Sequence, residues 1–281
     1  MIFLNGALVS EHEAAIDPAD RGFLLGDGLF ETLRVYKGRV PLLPRHLERL
    51  KAGAAALGIP LPATDLSGAV SETLAANGLE LADAAIRITL TRGPGPRGLL
   101  PPDDPKPTVM VVAMPRVPAP AAPATAVTAR SRRNEQTLLT SLKTLNYLDN
   151  ILARREAAAE QADEAIFWNT AGRLAGASAA NLFLLRGRTL FTPPPAEGVL
   201  PGIMRAGVLD LAETVDVHAV QTPLAPAKLH DADEAFLTNS LIGIRPLVRI
   251  DQRVIGDGRA GPVTRQLQQA LRDWIAALAP A

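Results

Sequence analysis

The sequence predicts a mixed α/β (α+β) chain folded as two domains, and three observations lead there. Short stretches that alternate apolar and polar residues, such as Ile86, Ile88 and Leu90 against Arg87, Thr89 and Thr91, are interleaved with helical patterns such as Leu47, Leu50, Ala54 and Leu57. The chain has 281 residues, 47% of them hydrophobic, so it can bury a sizeable core, and its length suits one large or two modest domains. The stretch 115–123, PRVPAPAAP, is too rich in proline for a helix or a central strand. It reads as an extended linker between a small N-terminal domain, 1–114, and a larger C-terminal domain, 124–281.

The elements follow in order. Residues 1–9 form a hairpin around Asn5-Gly6, which supplies the positive φ angles of a type I′ turn. A second hairpin has strands at 29–36 and 39–43 about Lys37-Gly38. Pro44 then opens a helix that Gly58 stops. Residues 66–76 read as a helix, and 85–91 and 108–114 as strands, with the Gly/Pro loop 92–98 between the last two. After the linker come a strand at 125–130 and a helix from about 145 to 161. Strands follow at 164–169 and 181–185, the latter turning at Arg186-Gly187-Arg188. A helix at 201–213, strands at 215–220, 234–239 and 244–250, and an amphipathic helix at 261–277 complete the chain.

Composition narrows the function. Twenty-nine basic and 29 acidic residues balance, which argues against a nucleic acid or an anionic membrane as partner. There is no cysteine, hence no disulfide framework or thiol nucleophile, and the four histidines have no metal-ligand spacing. No run reaches the roughly 18 apolar residues of a membrane span, and no secretory pattern opens the sequence. A cytoplasmic enzyme is the expectation.

Lysine is scarce, and one of the five stands apart. Lys143 lies in Ser141-Leu142-Lys143-Thr144-Leu145-Asn146-Tyr147, an apolar run at the predicted mouth of a helix. Apolar surroundings disfavour the ammonium form and free a neutral, nucleophilic amine near pH 7, which points to carbonyl chemistry. The plainer alternative is a packed aliphatic stem with its head in solvent.

Five motifs then occur in order: Asp20-Arg21-Gly22 with Gly26-Asp27-Gly28-Leu29-Phe30-Glu31-Thr32; Arg45-His46-Leu47-Glu48-Arg49-Leu50; the Lys143 core through Leu148; Ala180-Asn181-Leu182-Phe183; and Gly202-Ile203-Met204-Arg205. Together they resemble the fold-type-IV pyridoxal-phosphate enzymes, which include branched-chain aminotransferases, D-amino acid transaminases and aminodeoxychorismate lyases. The resemblance covers nearly the whole chain. It implies a homodimer with pyridoxal 5'-phosphate in a cleft between the domains and an amino carboxylate as substrate.

The resemblance also implies roles for particular residues. Lys143 would carry the cofactor as a Schiff base and Arg49 would grip its phosphate, a guanidinium being able to hold two oxygens. Read without the resemblance, Arg49 is sooner a solvated helix-face arginine. Gly202, Ile203 and Met204 open a helix whose free N–H groups favour an anion, so they would hold the other side of the phosphate. Ser240 and Leu241, after a strand, would add to the cofactor site, although Ser240 also reads as a turn serine. Arg97, on the Gly/Pro loop, matches the basic position that meets a substrate carboxylate, and otherwise solubilises that loop.

Three departures bear on the reaction. D-Amino acid transaminases carry a histidine where this chain has Leu99 and a tyrosine where it has Phe30, which lowers that reading. The family's glutamate on the pyridine nitrogen is replaced by Gly176, leaving water or Ser178 as a neutral partner and the ring a weaker electron sink. Transamination suffers more from this than a cleavage driven by formation of an aromatic product. The first expectation is therefore an aminodeoxychorismate-lyase-like enzyme releasing pyruvate and 4-aminobenzoate. The alternatives are a D-amino acid or branched-chain transaminase, and a catalytically impaired cofactor-binding relative.

Overall fold

The computed structural model describes residues 1–278. The chain divides into two compact units, one containing Met1–Val117 and the later segment Leu142–Asn146, the other Pro118–Ser141 and Tyr147–Ala277.

In the first unit β1 (Ile2–Leu4), β2 (Ala7–Val9), β3 (Gly28–Val35), β4 (Ala84–Thr91) and β5 (Thr108–Pro115) make an antiparallel sheet in the order β2-β1-β5-β4-β3. Asn5 and Gly6 have φ angles of 49° and 98°, as the hairpin turn requires. Strand alternation sends Leu29, Leu33 and Val35 of β3, with Ile86, Ile88 and Leu90 of β4, into one core. Leu50 and Ala54 of α2 (Leu43–Leu57) and Val70 and Leu74 of α3 (Leu66–Ala76) close it from the helix side. Each large apolar side chain buried there is worth about 1.5–3 kcal/mol. Gly58 ends α2 in the left-handed conformation, returning its N–H to the carbonyls of Ala54 and Ala55.

The predicted strand at 39–43 is absent. Only Tyr36 and Arg39 pair, because Pro41 and Pro44 remove ladder donors and the second proline starts the helix instead. A five-residue helix, α1 (Arg21–Leu25), lies where none was expected. The Asp20 carboxylate accepts the Gly22 N–H at its start, and it is too short to leave a periodic signal.

The Lys143 segment also differs from expectation. The helix predicted from about 145 begins later, as α4 (Leu148–Ala159), and residues 142–146 run extended along β3. The Phe30 N–H donates to the Lys143 carbonyl at 2.9 Å, and the Leu145 N–H to that of Gly28 at 2.9 Å. β3 is the outer strand of its sheet, so its unpaired backbone groups compete for this segment and win it from the helix. The residues 142–146, assigned by sequence to the C-terminal part, therefore group with the first unit.

The second unit is built on a nine-stranded mixed sheet. Its strands are β6 (Ala124–Thr128), β7 (Glu164–Trp168), β8 (Leu174–Ala177), β9 (Asn181–Arg186), β10 (Thr189–Thr192), β11 (His218–Gln221), β12 (Glu234–Asn239), β13 (Gly243–Ile250) and β14 (Arg253–Val254). The order is β11-β10-β9-β12-β13-β6-β7-β8, with β14 on β13. Around it lie α4, α5 (Ile203–Leu211), α6 (Pro226–His230) and α7 (Pro262–Leu278). The predicted strand 215–220 begins only at His218, since residues Ala212–Val215 form a 3-10 turn and Asp216 takes a φ of 57°. Among the described residues no helix is long and apolar enough to cross a membrane.

Candidate active site

Lys143 lies half-buried on the covered edge of β3, its Nζ 4.1 Å from the centre of the Phe30 ring. Burial pushes its amine down from the ordinary lysine value to about 8, helped by the positive charges of Arg49 and Arg87 and opposed by Glu31. Arg87, on β4, stacks its guanidinium over the same Phe30 ring at 3.9 Å. The register pairs Phe30 with Thr89 and Thr32 with Arg87, so Arg87 projects from the same sheet face as Phe30.

Beneath this group the odd residues of β3 face the core, and one of them is charged. Glu31 is fully buried between Leu29 and Leu33 and is met by two side chains one turn apart on α2. Arg49 donates to it through Nε at 2.8 Å and Nη2 at 2.7 Å, and His46 Nδ1 approaches at 2.6 Å. Burial alone would raise the Glu31 carboxyl, yet Arg49 and His46 bring it below its usual range. Burial holds His46 below the usual imidazole value, so a neutral ring donating Nδ1–H to an ionised Glu31 accounts for the short contact. Arg49 is thus no solvated surface arginine.

In the second unit, α5 starts at Gly202, which has no side chain to cap it, so the amides of Ile203 and Met204 open the helix. A Cβ at Gly202 would come within 2.0 Å of Asn181 Oδ1, and Asn181 itself donates to the Leu200 carbonyl at 2.9 Å. The Asn181 motif therefore shapes the approach to this helix end. Gly176, in β8, has a φ of 78°, a conformation that favours glycine, and a Cβ there would meet the Ala180 carbonyl at 3.5 Å.

Two expected partners are engaged elsewhere. The buried Ser178 hydroxyl donates to Glu164, which leaves its oxygen lone pairs as what it can offer a ring nitrogen. The Leu241 N–H is taken by Asn239 Oδ1 at 2.9 Å, in the β12–β13 turn that also contains Ser240. Arg97 is exposed on its loop, whose backbone is anchored when Arg21 donates to the carbonyls of Gly98, Leu99 and Leu100. It is outside the group around Lys143.

The sequence profile described as amino-transferase class IV matches residues 28–250, well over half of the chain. The protein belongs to this family. It is 37% identical over 276 residues to a provisionally assigned branched-chain-amino-acid aminotransferase of Methanocaldococcus jannaschii, covering 97% of this chain and 95% of that one. The solved 4-amino-4-deoxychorismate lyase of Pseudomonas aeruginosa is 35% identical with a TM-score of 0.86, covering 97% of this chain and 98% of that one. The branched-chain amino acid aminotransferase of T.th., solved with pyridoxamine 5'-phosphate, gives a TM-score of 0.91 at 29% identity over 99% of this chain and 95% of that one.

Class IV aminotransferases are pyridoxal-phosphate enzymes, and the donor set of this chain suits that cofactor. In the first unit a depressed lysine amine would suit the aldehyde and the Arg49 guanidinium a phosphate; in the second, the uncapped helix end by itself suits an anion. The sequence reading assigned no role to Glu31, His46 or Arg87. Glu31 had left a trace, as the one charged position in the apolar register Leu29, Leu33, Val35. Arg87 looked like an ordinary polar position of an alternating strand.

Proposed function

We propose that this class IV enzyme cleaves an amino carboxylate in the manner of an aminodeoxychorismate lyase, releasing pyruvate and 4-aminobenzoate. The observation that carries the reading is Gly176, which puts a glycine at φ 78° where the family's ring-nitrogen carboxylate is expected. When bound, pyridoxal phosphate supplies an aldehyde that condenses with amines and a conjugated ring that draws electrons from the adjoining carbon. The chain's own residues do the rest. Lys143, close to neutral pH in its protonation, takes and returns a proton at Nζ. Arg49, fixed on Glu31, would grip the phosphate; the uncapped Gly202-Ile203-Met204 helix end and the turn containing Ser240 are each, within their own unit, suited to an anion. Arg87 and Arg97 supply guanidinium groups for substrate carboxylates.

Amino-acid transamination is the second reading, favoured by Arg87 standing with Lys143 on the Phe30 ring, where a second substrate carboxylate could pair. A homodimer in the cytoplasm fits either reading. Exposed Phe23, Leu24, Leu99 and Leu100 give an apolar surface for a second copy beside the Arg97 loop. The deciding experiment incubates the holoenzyme with aminodeoxychorismate, with D-alanine plus 2-oxoglutarate, and with L-leucine plus 2-oxoglutarate. Release of 4-aminobenzoate supports the lyase; glutamate formation alone sinks it. Turnover of none of the three would indicate an impaired cofactor binder, in which borohydride should still fix the pyridoxyl group on Lys143.

A further inference from the structure

We infer that Glu31 is a positioning residue: its buried carboxylate fixes the Arg49 guanidinium for the cofactor phosphate and supplies the negative charge facing Lys143. This rests on the reading that Arg49 takes that phosphate. Glu31 is fully shielded, on the apolar face of β3, where a hydrocarbon side chain would pack without the cost of dehydrating a charge. The structure accepts that cost, and the carboxylate is used in full. Both oxygens receive Arg49, through Nε and Nη2, which fixes the plane of the guanidinium as well as its position. His46 Nδ1 binds the same oxygen as Nη2, so the carboxylate cannot rotate without breaking a second contact.

The next residue along β3, Phe30, lies under the Lys143 amine, and its N–H holds the Lys143 carbonyl. The groups facing Lys143 are therefore Glu31 from β3, Arg49 from α2 and Arg87 from β4, with His46 behind Glu31. Glu31 is the one anion in that set. Its removal should leave two cations unopposed, whereas mere loosening of the fold would hydrate the lysine and act in the opposite direction.

The test uses the full chain stripped of cofactor, as wild type, Glu31→Gln, Glu31→Asp, Arg49→Met and the double variant. Two quantities are measured: the dissociation constant for pyridoxal phosphate, and the pH midpoint of Lys143 acylation. Glu31→Gln should weaken cofactor binding about tenfold or more, the value of a charge-assisted hydrogen bond, with little further loss in the Arg49→Met background. Its Lys143 midpoint should fall. Glu31→Asp, too short to keep both contacts but still charged, should weaken binding with the midpoint near wild type. If Glu31→Gln does not fold, Glu31→Asp decides alone, and unchanged affinity there overturns the inference. A midpoint that rises in Glu31→Gln, or losses that add fully in the double variant, also overturns it. Wild-type affinity in Arg49→Met would instead remove the phosphate role of Arg49.

Discussion

Replacing Arg87 by glutamine should lower the pressure on the Lys143 ammonium and so raise the pH at which Lys143 becomes nucleophilic. The Lys143 Nζ and the Arg87 guanidinium lie 4.1 and 3.9 Å from the centre of one ring, so the charges are no more than about 8 Å apart. Two positive charges at that distance repel by about 2 kcal/mol at an effective dielectric of about 20, and by half or less once solvent screens the half-buried amine. The midpoint, about 8 in the native protein, should therefore rise by up to about 0.7 pH unit in Arg87→Gln. Trace acetylation across a pH series, followed by mass spectrometry of the Lys143 peptide, measures it. Lys106, whose side chain is 77% exposed, is the internal reference. At pH 7 native Lys143 should hold roughly 300-fold more neutral amine than an ordinary lysine. A native Lys143 that titrates at the ordinary lysine value, or an Arg87→Gln midpoint that stays still or falls, would refute the electrostatic account.

Three further outcomes are expected. Lys143 is depressed in the folded state, so the unfolded chain holds more protons between pH 8 and about 10.5 and stability should climb through that window. Lys143→Met should then raise the stability of the cofactor-free protein at pH 7 by about 2 kcal/mol after allowance for solvent screening, with the gain gone above pH 10.5; denaturant melts at both pH values check it. Gly176→Glu should cost roughly 1–2 kcal/mol from its left-handed backbone while leaving room for the Cβ, and should speed the transaminase half-reaction, whereas native transamination near the roughly 10 s⁻¹ typical of enzymes would end the weak-sink argument. Arg97→Ala should raise KM by about tenfold or more with the cofactor spectrum intact, and unchanged kinetics would return Arg97 to the role of a solvated loop residue.

Much of the fold was legible because core positions repeat. The β4 alternation, the α2 face and the Asn5-Gly6 turn each carry a local pattern that the tertiary structure keeps. What sequence could not give was competition between elements. Leu142 to Asn146 has the composition to begin a helix, but the outer edge of β3 lies a hundred residues away in sequence, and its unpaired N–H and C=O groups capture the segment. Nothing in the local window encodes that edge. The short α1 and α6 failed for another reason, being five residues each and set by caps or a leading proline rather than by periodicity.

The candidate site divides along the same line. Lys143 stood out through composition, because a lone lysine among leucines is a local anomaly. Arg49 needed its partner: on α2 alone it is one more helix arginine, and only the carboxylate of β3, eighteen residues away, makes it a fixed guanidinium. Ser178 shows the converse, since nothing in its local window announces that folding brings Glu164 to its hydroxyl. Gly176 joins both kinds of information. The resemblance implies which side chain is missing, and the φ of 78° makes the position costly for an L-residue. The gain expected of Gly176→Glu in the transaminase half-reaction therefore has to be read beside its stability, because the new carboxylate arrives on a left-handed backbone.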